Sequence, residues 1–418
     1  MEVIHNRCAG MDVSKKDAKV CVRVAGAGRR KTVETVRTWG ATTNQVLALR
    51  DHLVAERVTL VVMEATSDYW KPFYYLLEDA GFELMLVNAR HVKNMPGRKT
   101  DVTDAAWLAQ LGAHGLVRAS FVPPAPIREL RDLTRAPVML TRERGREIQR
   151  LEKLLEDARI KLSSVATDIT GVAGRLMLQA LIDGHRDPAA LADLAQRRLR
   201  TKIPELTEAL TGRFTEHHAF LAGIFLETID QRTRQIDELN QRIDRAMTPF
   251  RAFCDLICSI PGVGQQTAEV VVAETGADMT VFPSPKHLAS WAGVCPGSNE
   301  SAGRVKSTTT RPGNPYLKAA LGTAALSIAA THDTFLAVKY RRLAPRRGGK
   351  KALVAIEHTI LTAIWSMANT GAEYDDPGPD YYIRHSPERV LRNATRQLER
   401  LGYSVTLSPT AQTAQDSF

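Results

Sequence analysis

The run Val58-Thr59-Leu60-Val61-Val62-Met63, closed by Glu64, constrains the fold of this chain more than any other segment. A short, continuous, β-branched apolar run reads as a buried strand. Asp12, in GMDVS, likewise follows a short apolar run, so the two acids are expected to project from neighbouring strand ends. Asp101 and Asp104 open KTDVTDAAWLAQL, where Ala105, Leu108 and Leu111 recur at helical spacing. At i and i+3 the two acids share one face of a helix near its start. Four carboxylates from distant parts of the chain thereby point to one site. Mg²⁺ takes oxygen ligands, usually a few carboxylates completed by water and phosphate oxygens, so the set suits one or two Mg²⁺ ions, with Mn²⁺ as a substitute, and phosphodiester chemistry. Taken singly, each acid reads equally well as a helix cap or a solvated strand end. It is the combination that points to a metal.

Around these acids the first 125 residues alternate strands with helices. Strands are expected near Gly10–Val13, Ala18–Val24, Thr32–Thr38, Val58–Met63 and Glu83–Val87, and helices over Asn44–Ala55, over Lys71–Ala80 and from Asp101. Three strands followed by alternating helix and strand form an α/β domain over 1–125. With an acid on the first strand, one ending the fourth and two on a late helix, it resembles the ribonuclease H-like fold of RuvC-like nucleases.

Pro123, Pro124 and Pro126 punctuate the end of that domain, and the rest of the chain reads as all-α. From Ile127 to Asp168 the periodicity is helical, with Leu151, Leu154 and Leu155 on an apolar stripe beside Arg142, Arg144, Arg146, Arg150 and Lys153. Ala219 to Met247 repeats the pattern. The pair is expected to form a long helical, coiled-coil region over 126–250, packed on itself or dimerised, with a globular helical insert at 169–214. The basic faces read as solvated surface or as a nucleic-acid track. The overall charge of +10, from 56 Lys and Arg against 46 Asp and Glu, favours a polyanionic partner. Cys8, Cys21, Cys254, Cys258 and Cys295 contain no CxxC pair, which argues against zinc or a disulfide framework. The start of the chain lacks a signal-peptide pattern and no stretch has the apolar length of a membrane span, so a cytoplasmic, nucleoid-associated protein with no membrane partner is expected.

Residues 251–372 carry a second informative region. Ile260-Pro261-Gly262-Val263-Gly264, leading into Gln265-Gln266-Thr267-Ala268, resembles a helix-hairpin-helix turn, in which Gly262 and Gly264 let backbone N–H groups approach a phosphate. A plain glycine turn between packed helices is the alternative. An exposed loop is expected from Gly297 to Gly303, followed by the cations Arg304, Lys306 and Arg311 and an apolar helix from Pro315 to Ala330. A serine in such a loop is placed to attack or capture a phosphate, and the residues alone do not separate Ser298, Ser301 and Ser307. The tail, 373–418, reads as polar and partly disordered, with an amphipathic helix over Pro387–Leu401.

GMDVSKKDAKVCV, MEATSDYW and KTDVTDAAWLAQL, together with SIPGVGQQTA and FPSPKHLASWAGVCPGSNESAGRVKSTTTRPGNPYLKAAL, resemble the insertion sequence 110 family of DEDD transposases, related to the Piv-type invertases. The resemblance implies that Asp12, Glu64, Asp101 and Asp104 are the acidic set. It also implies that 251–372 is a serine-containing transposase domain, with the serine at Ser301 when GVCP is aligned on the family's GLxP. Ala302 departs from the glycine that many members place after the serine. Further implied are target and donor DNA as substrates, a non-coding bridge RNA as guide, and a homo-oligomer, dimer or tetramer, acting through a serine–DNA intermediate. A junction-resolving, Holliday-type metal-dependent endonuclease would need the acids without the serine. A non-catalytic nucleic-acid scaffold would need neither.

Overall fold

The computed structural model describes residues 2–26, 31–65, 67–89, 92, 103–297 and 299–408; Asp101 and Ser298 lie outside them. The chain divides into two compact units between Val122 and Pro123, the first mixed α/β and the second mostly helical.

The first unit holds strands β1 (Arg7–Val13), β2 (Asp17–Val24), β3 (Val33–Gly40), β4 (Leu60–Glu64) and β5 (Glu83–Val87), with helices α1 (Thr43–Ala55), α2 (Trp70–Leu77) and α3 (Asp104–Ala113). The sheet order is β3-β2-β1-β4-β5. β1, β2 and β3 form an antiparallel meander, while β4 pairs parallel with β1 and β5 parallel with β4. Side chains alternate between sheet faces. Ala9, Met11, Val13, Val61 and Met63 accordingly enter one core with Val46, Leu49, Leu53 and Phe73 of α1 and α2. Cys8, Leu60 and Val62 enter the other with Ala105, Leu108 and Leu111 of α3. Helices on both faces explain why the Leu60–Glu64 run is continuously apolar.

Two element ends fall short of the sequence reading for one shared reason. The Val58 strand begins only at Leu60, because Val58 closes α1: Arg57 takes a left-handed φ of 54° and the Val58 N–H donates to Leu53 O at 3.1 Å. The helix expected to run to Asp168 is α4 (Ala125–Asp157), which stops where Arg159 has φ 59° and the Ile160 N–H donates to Leu155 O at 2.8 Å. Both are Schellman closures with an apolar residue behind the left-handed position. Arginine stands where glycine would have marked the stop.

In the second unit, α4 packs antiparallel to α9 (Glu216–Ala246): His218 meets Asp157 at 3.0 Å, Arg232 meets Glu143 at 3.2 Å, and Arg245 borders the same cleft as Pro126. The pair therefore closes on itself within one chain. Its far end is capped by α5 (Leu162–Val165), α6 (Val172–Ile182), α7 (Pro188–Asp193) and α8 (Ile203–Leu210). Their Met177, Leu178, Leu181, Leu191, Leu206 and Leu210 share a core with Leu151, Leu155, Leu226 and Ile229. The rest of this unit comprises α10 (Arg251–Cys258), α11 (Gln265–Thr275), α12 (Pro285–Ala292), strands β6 (Asn299–Ser301) and β7 (Arg304–Ser307), then α13 (Pro315–Ala330), α14 (Phe335–Arg347) and α15 (Gly349–Thr370). α15 is the packing centre, touched by α12, α13 and α14 through Ile356, Ile360, Leu361 and Ile364. The described tail adds α16 (Tyr381–His385) and α17 (Pro387–Arg400), docked through Tyr374, whose N–H donates to Ser259 Oγ at 2.9 Å, and Asp376, which accepts from the Phe335 N–H at 3.0 Å.

Candidate active site

Strand parity decides where two of the acids point. Asp12 has the parity of Cys8 and Gly10, and Glu64 that of Leu60 and Val62, so both face the side covered by α3. Met11 pairs with Met63 across β1 and β4, which puts Asp12 and Glu64 one step further along adjacent parallel strands. α3 lies antiparallel to β1. Cys8 Sγ donates to Ala109 O at 3.2 Å, the Ile4 N–H donates to Ala113 O at 2.8 Å, and Gly10 lies under Ala105. The beginning of α3, with Asp104, therefore lies at the Asp12 end of the strand. Asp12, Glu64 and Asp104 are each half-buried.

The close approach that sets this geometry depends on glycine. A β-carbon at Gly10 would stand 2.1 Å from Ala105 O and 2.4 Å from Ala109 N; one at Gly112 would stand 2.6 Å from Val62 Cγ2. The helix start is fixed by Thr103, whose hydroxyl accepts from the Ala106 N–H at 3.3 Å, so α3 begins at Asp104. The expectation that Asp101 and Asp104 share a helical face concerns a residue outside those described.

The carboxylates are hard oxygen donors of the kind Mg²⁺ takes, and Mg²⁺ needs only one or two of them directly. Among the described residues, no three His, Cys, Asp or Glu side chains are gathered closely enough to hold an ion. In donor chemistry the set fits a divalent cation. Cys8 and Cys21, buried between the sheet and α3 on the same face as the acids, have thiols pushed up to about 11 and about 12 by burial, which favours the protonated thiol.

In the second unit the segment expected as an exposed loop is a hairpin. Ser301 pairs with Arg304 across a two-residue turn in which Ala302 (φ 51°) and Gly303 (φ 75°) are both left-handed, the geometry of a type I′ turn. Alanine stands at the first turn position, where Asn, Asp or Gly usually signals the hairpin, so the sequence carried only half of the signal. A Pro296–Thr310 bridge extends the ladder, and the Gly297 N–H donates to Thr309 O at 3.0 Å. Arg304, Lys306 and Arg311 are exposed.

The second unit also holds a buried ion network that the sequence reading missed. Glu274 of α11, with no exposed surface, accepts from Arg135 Nε and Nη2 of α4, both at 2.7 Å, and from Asn314 Nδ2 at 2.5 Å; Arg131 Nε lies 3.2 Å away. Asn314 also caps α13, accepting from the Tyr316 and Leu317 N–H groups at 3.1 Å each. The long basic helix and the strap behind the hairpin are thus tied to one carboxylate. An acid inside Val270-Val271-Val272-Ala273-Glu274, and an Asn directly before Pro315, were the available signals.

The expected nucleic-acid contacts divide by environment. Arg142 and Arg146 are exposed, whereas half-buried Arg144 donates to Thr233 Oγ1 of α9 at 3.3 Å and Arg150 pairs with Glu147. Gly262 has φ 83° and would meet Ile328 within 2.5 Å if it carried a β-carbon, so its glycine is required by packing. Gly264 is the open N-cap of α11 with nothing within 4 Å.

Known proteins resemble the chain at both ends. A DEDD transposase model of the IS110 type matches residues 9–160, and the model described as "Transposase IS116/IS110/IS902 family" matches residues 254–340. The IS110 insertion element's uncharacterized 43.6 kDa protein, from Streptomyces coelicolor, is 26% identical over 79% of this chain and 87% of its own length. A putative transposase of Sinorhizobium fredii is 24% identical over 76% of this chain and 74% of its own. The IS900 insertion element's uncharacterized 42 kDa protein, from Mycobacterium paratuberculosis, is 26% identical over 72% and 80%. With two models of one transposase family matched in order along the chain, this protein belongs to the IS110 family of insertion-sequence transposases.

Proposed function

We propose that this transposase cuts and rejoins DNA through a serine–DNA intermediate, with Asp12, Glu64, Asp101 and Asp104 as a divalent-metal site and Ser301 as nucleophile. The observation that carries the reading is the placement of Asp12, Glu64 and Asp104 at one end and on one face of the sheet. The meander followed by parallel strands, in the order β3-β2-β1-β4-β5, supports a ribonuclease H-like ancestry for that unit. A divalent ion held by these carboxylates, Mg²⁺ or Mn²⁺, would supply charge stabilisation at the scissile phosphate.

The chain's own groups account for the remaining steps. Ser301 Oγ gives up its proton and bonds to phosphorus as one deoxyribose oxygen leaves and takes a proton. Attack by another sugar hydroxyl then reverses the exchange, restoring a phosphodiester and freeing the serine. The bond energy stays in the phosphoserine, so no ATP is required. Arg304, Lys306 and Arg311 around the hairpin offer donors to non-bridging phosphate oxygens, Arg where two are gripped at once. Gly262 and Gly264, with Arg142, Arg144, Arg146 and Arg150, extend the nucleic-acid contacts. Acids and serine belong to different units, so the chemistry requires both to reach one phosphate, which favours an oligomer. The family resemblance supports a bridge RNA as guide.

Strand cleavage is assayed with DNA carrying the element's ends, its RNA and Mg²⁺, followed by mass spectrometry of the stalled reaction. Asp12→Ala is expected to lose about 10²-fold or more in rate, and Ser301→Ala to bind nucleic acid yet form no adduct. Cleavage without any adduct would replace this reading with the hydrolytic endonuclease. An adduct on Ser298 or Ser307 would move the nucleophile.

A further inference from the structure

A cation-lined cleft near the end of the chain takes no part in the chemistry above. α14 and α17 enclose about 320 Å³ between Arg342 and Arg346 on one side and Arg389, Asn393 and Gln397 on the other, with Tyr382 of α16 between them. The spacings make this a built surface. Arg342 and Arg346 are one helical turn apart, and Arg389, Asn393 and Gln397 repeat at i, i+4 and i+8, so each set shares a face. Tyr382 orients Arg342, whose guanidinium lies 4.3 Å from the ring centroid, and Tyr382 itself stacks on Phe335 at 5.7 Å.

Three guanidiniums converge here, no carboxylate lines the cleft, and none of the three has an acidic partner among the described residues. Like charges gathered this way repel unless an anion joins them. The surrounding sequence, KYRRLAPRRGGKK, continues the charge with Arg347, Lys350 and Lys351, all exposed, and contains no acid. The cleft has the volume of a small-ligand site, fitting a nucleotide or two of a strand rather than the broad face of a duplex. Arginines beside an aromatic ring and side-chain amides match the chemistry of unpaired nucleotides, whose phosphates take guanidiniums and whose base edges take amides.

We propose that this cleft grips the phosphodiester backbone of a single-stranded nucleic-acid segment. The proposal extends the recombinase reading without depending on the acids or on Ser301, because binding is measured with no cleavage step. Fluorescence anisotropy of the full-length protein is recorded with a short labelled RNA, the same sequence as DNA, and the corresponding duplex, over a range of KCl. The variant R342Q/R346Q/R389Q is compared with the charge-matched R197Q/R198Q/R213Q, which removes exposed arginines of the helical insert. Circular-dichroism melts of both check folding, and Arg346→Gln alone, at an exposed side chain, provides a minimally perturbing arm. The cleft variant is expected to lose about tenfold or more in single-strand affinity and to flatten the salt dependence by roughly two units of slope. The control should change little. Equal loss for RNA and DNA identifies backbone recognition, and loss for RNA alone adds a contact to the ribose hydroxyl. Unchanged single-strand binding, equal losses in both triple variants, or a duplex weakened as much as the single strands would overturn the proposal.

Discussion

Replacing Gly10 by alanine tests the packing that sets the Asp104 end of α3 against β1. The new β-carbon would stand 2.1 Å from Ala105 O, 2.4 Å from Ala109 N and 2.9 Å from Leu108 Cβ, two of them backbone atoms that no rotamer change can move. Ordinary contact requires α3 to withdraw from β1 by about 1 Å or more. Overpacking of this kind costs about 1–3 kcal/mol, and the withdrawal would carry Asp104 away from Asp12. A misplacement of about 1 Å in a reacting constellation lowers rate by about 10²-fold. Urea unfolding and strand cleavage are measured side by side. Gly145→Ala serves as the control, because that helical glycine has nothing within 4 Å and alanine there should add about 0.5–1 kcal/mol. A Gly10→Ala protein as stable as its parent would refute the close-approach argument. A destabilised protein that cuts DNA at the parental rate would refute the role given to the acids.

Glu274→Ala should cost about 3–5 kcal/mol in urea unfolding, because it strands Arg135 and Arg131 beside a buried site; a loss under about 1 kcal/mol would mean that the network is solvated. Ala302→Gly should raise the melting temperature slightly by relieving a left-handed alanine at φ 51°, a strain of about 1 kcal/mol, and unchanged or lower stability would count against the type I′ turn. Glu357, buried on α15 with Oε2 unpartnered, has its pKa raised by desolvation. Its contribution to stability is complete below the ordinary carboxylate range and is lost as pH rises through the raised folded value. Glu357→Gln should therefore raise the melting temperature more at pH 8 than at pH 4, and a gain independent of pH would refute the assignment.

Local chemistry in the sequence determined a good deal. The apolar run ending on Glu64, the helical spacing after Asp104 and the Pro315–Ala330 helix are all legible because burial on a strand or a helix face imposes a period that side chains must obey. The parity that turns Asp12 and Glu64 to one side follows from the same period once the strands are known to be neighbours. The sequence did not reveal where elements end when a left-handed position is held by arginine: at Arg57 and Arg159 the closure is stabilised by buried Val58 and Ile160, a tertiary effect that overrides the residue's own preference. It did not show that residues 299–307 pair as a hairpin, since Ala302 lacks the turn chemistry that would announce one. Nor did it show that Glu274 gathers Arg131 and Arg135 of one helix and Asn314 of another segment, all distant from it along the chain. Whether an acid is a solvated surface charge or the centre of a buried network depends on what packs against it, and only the tertiary structure decided that.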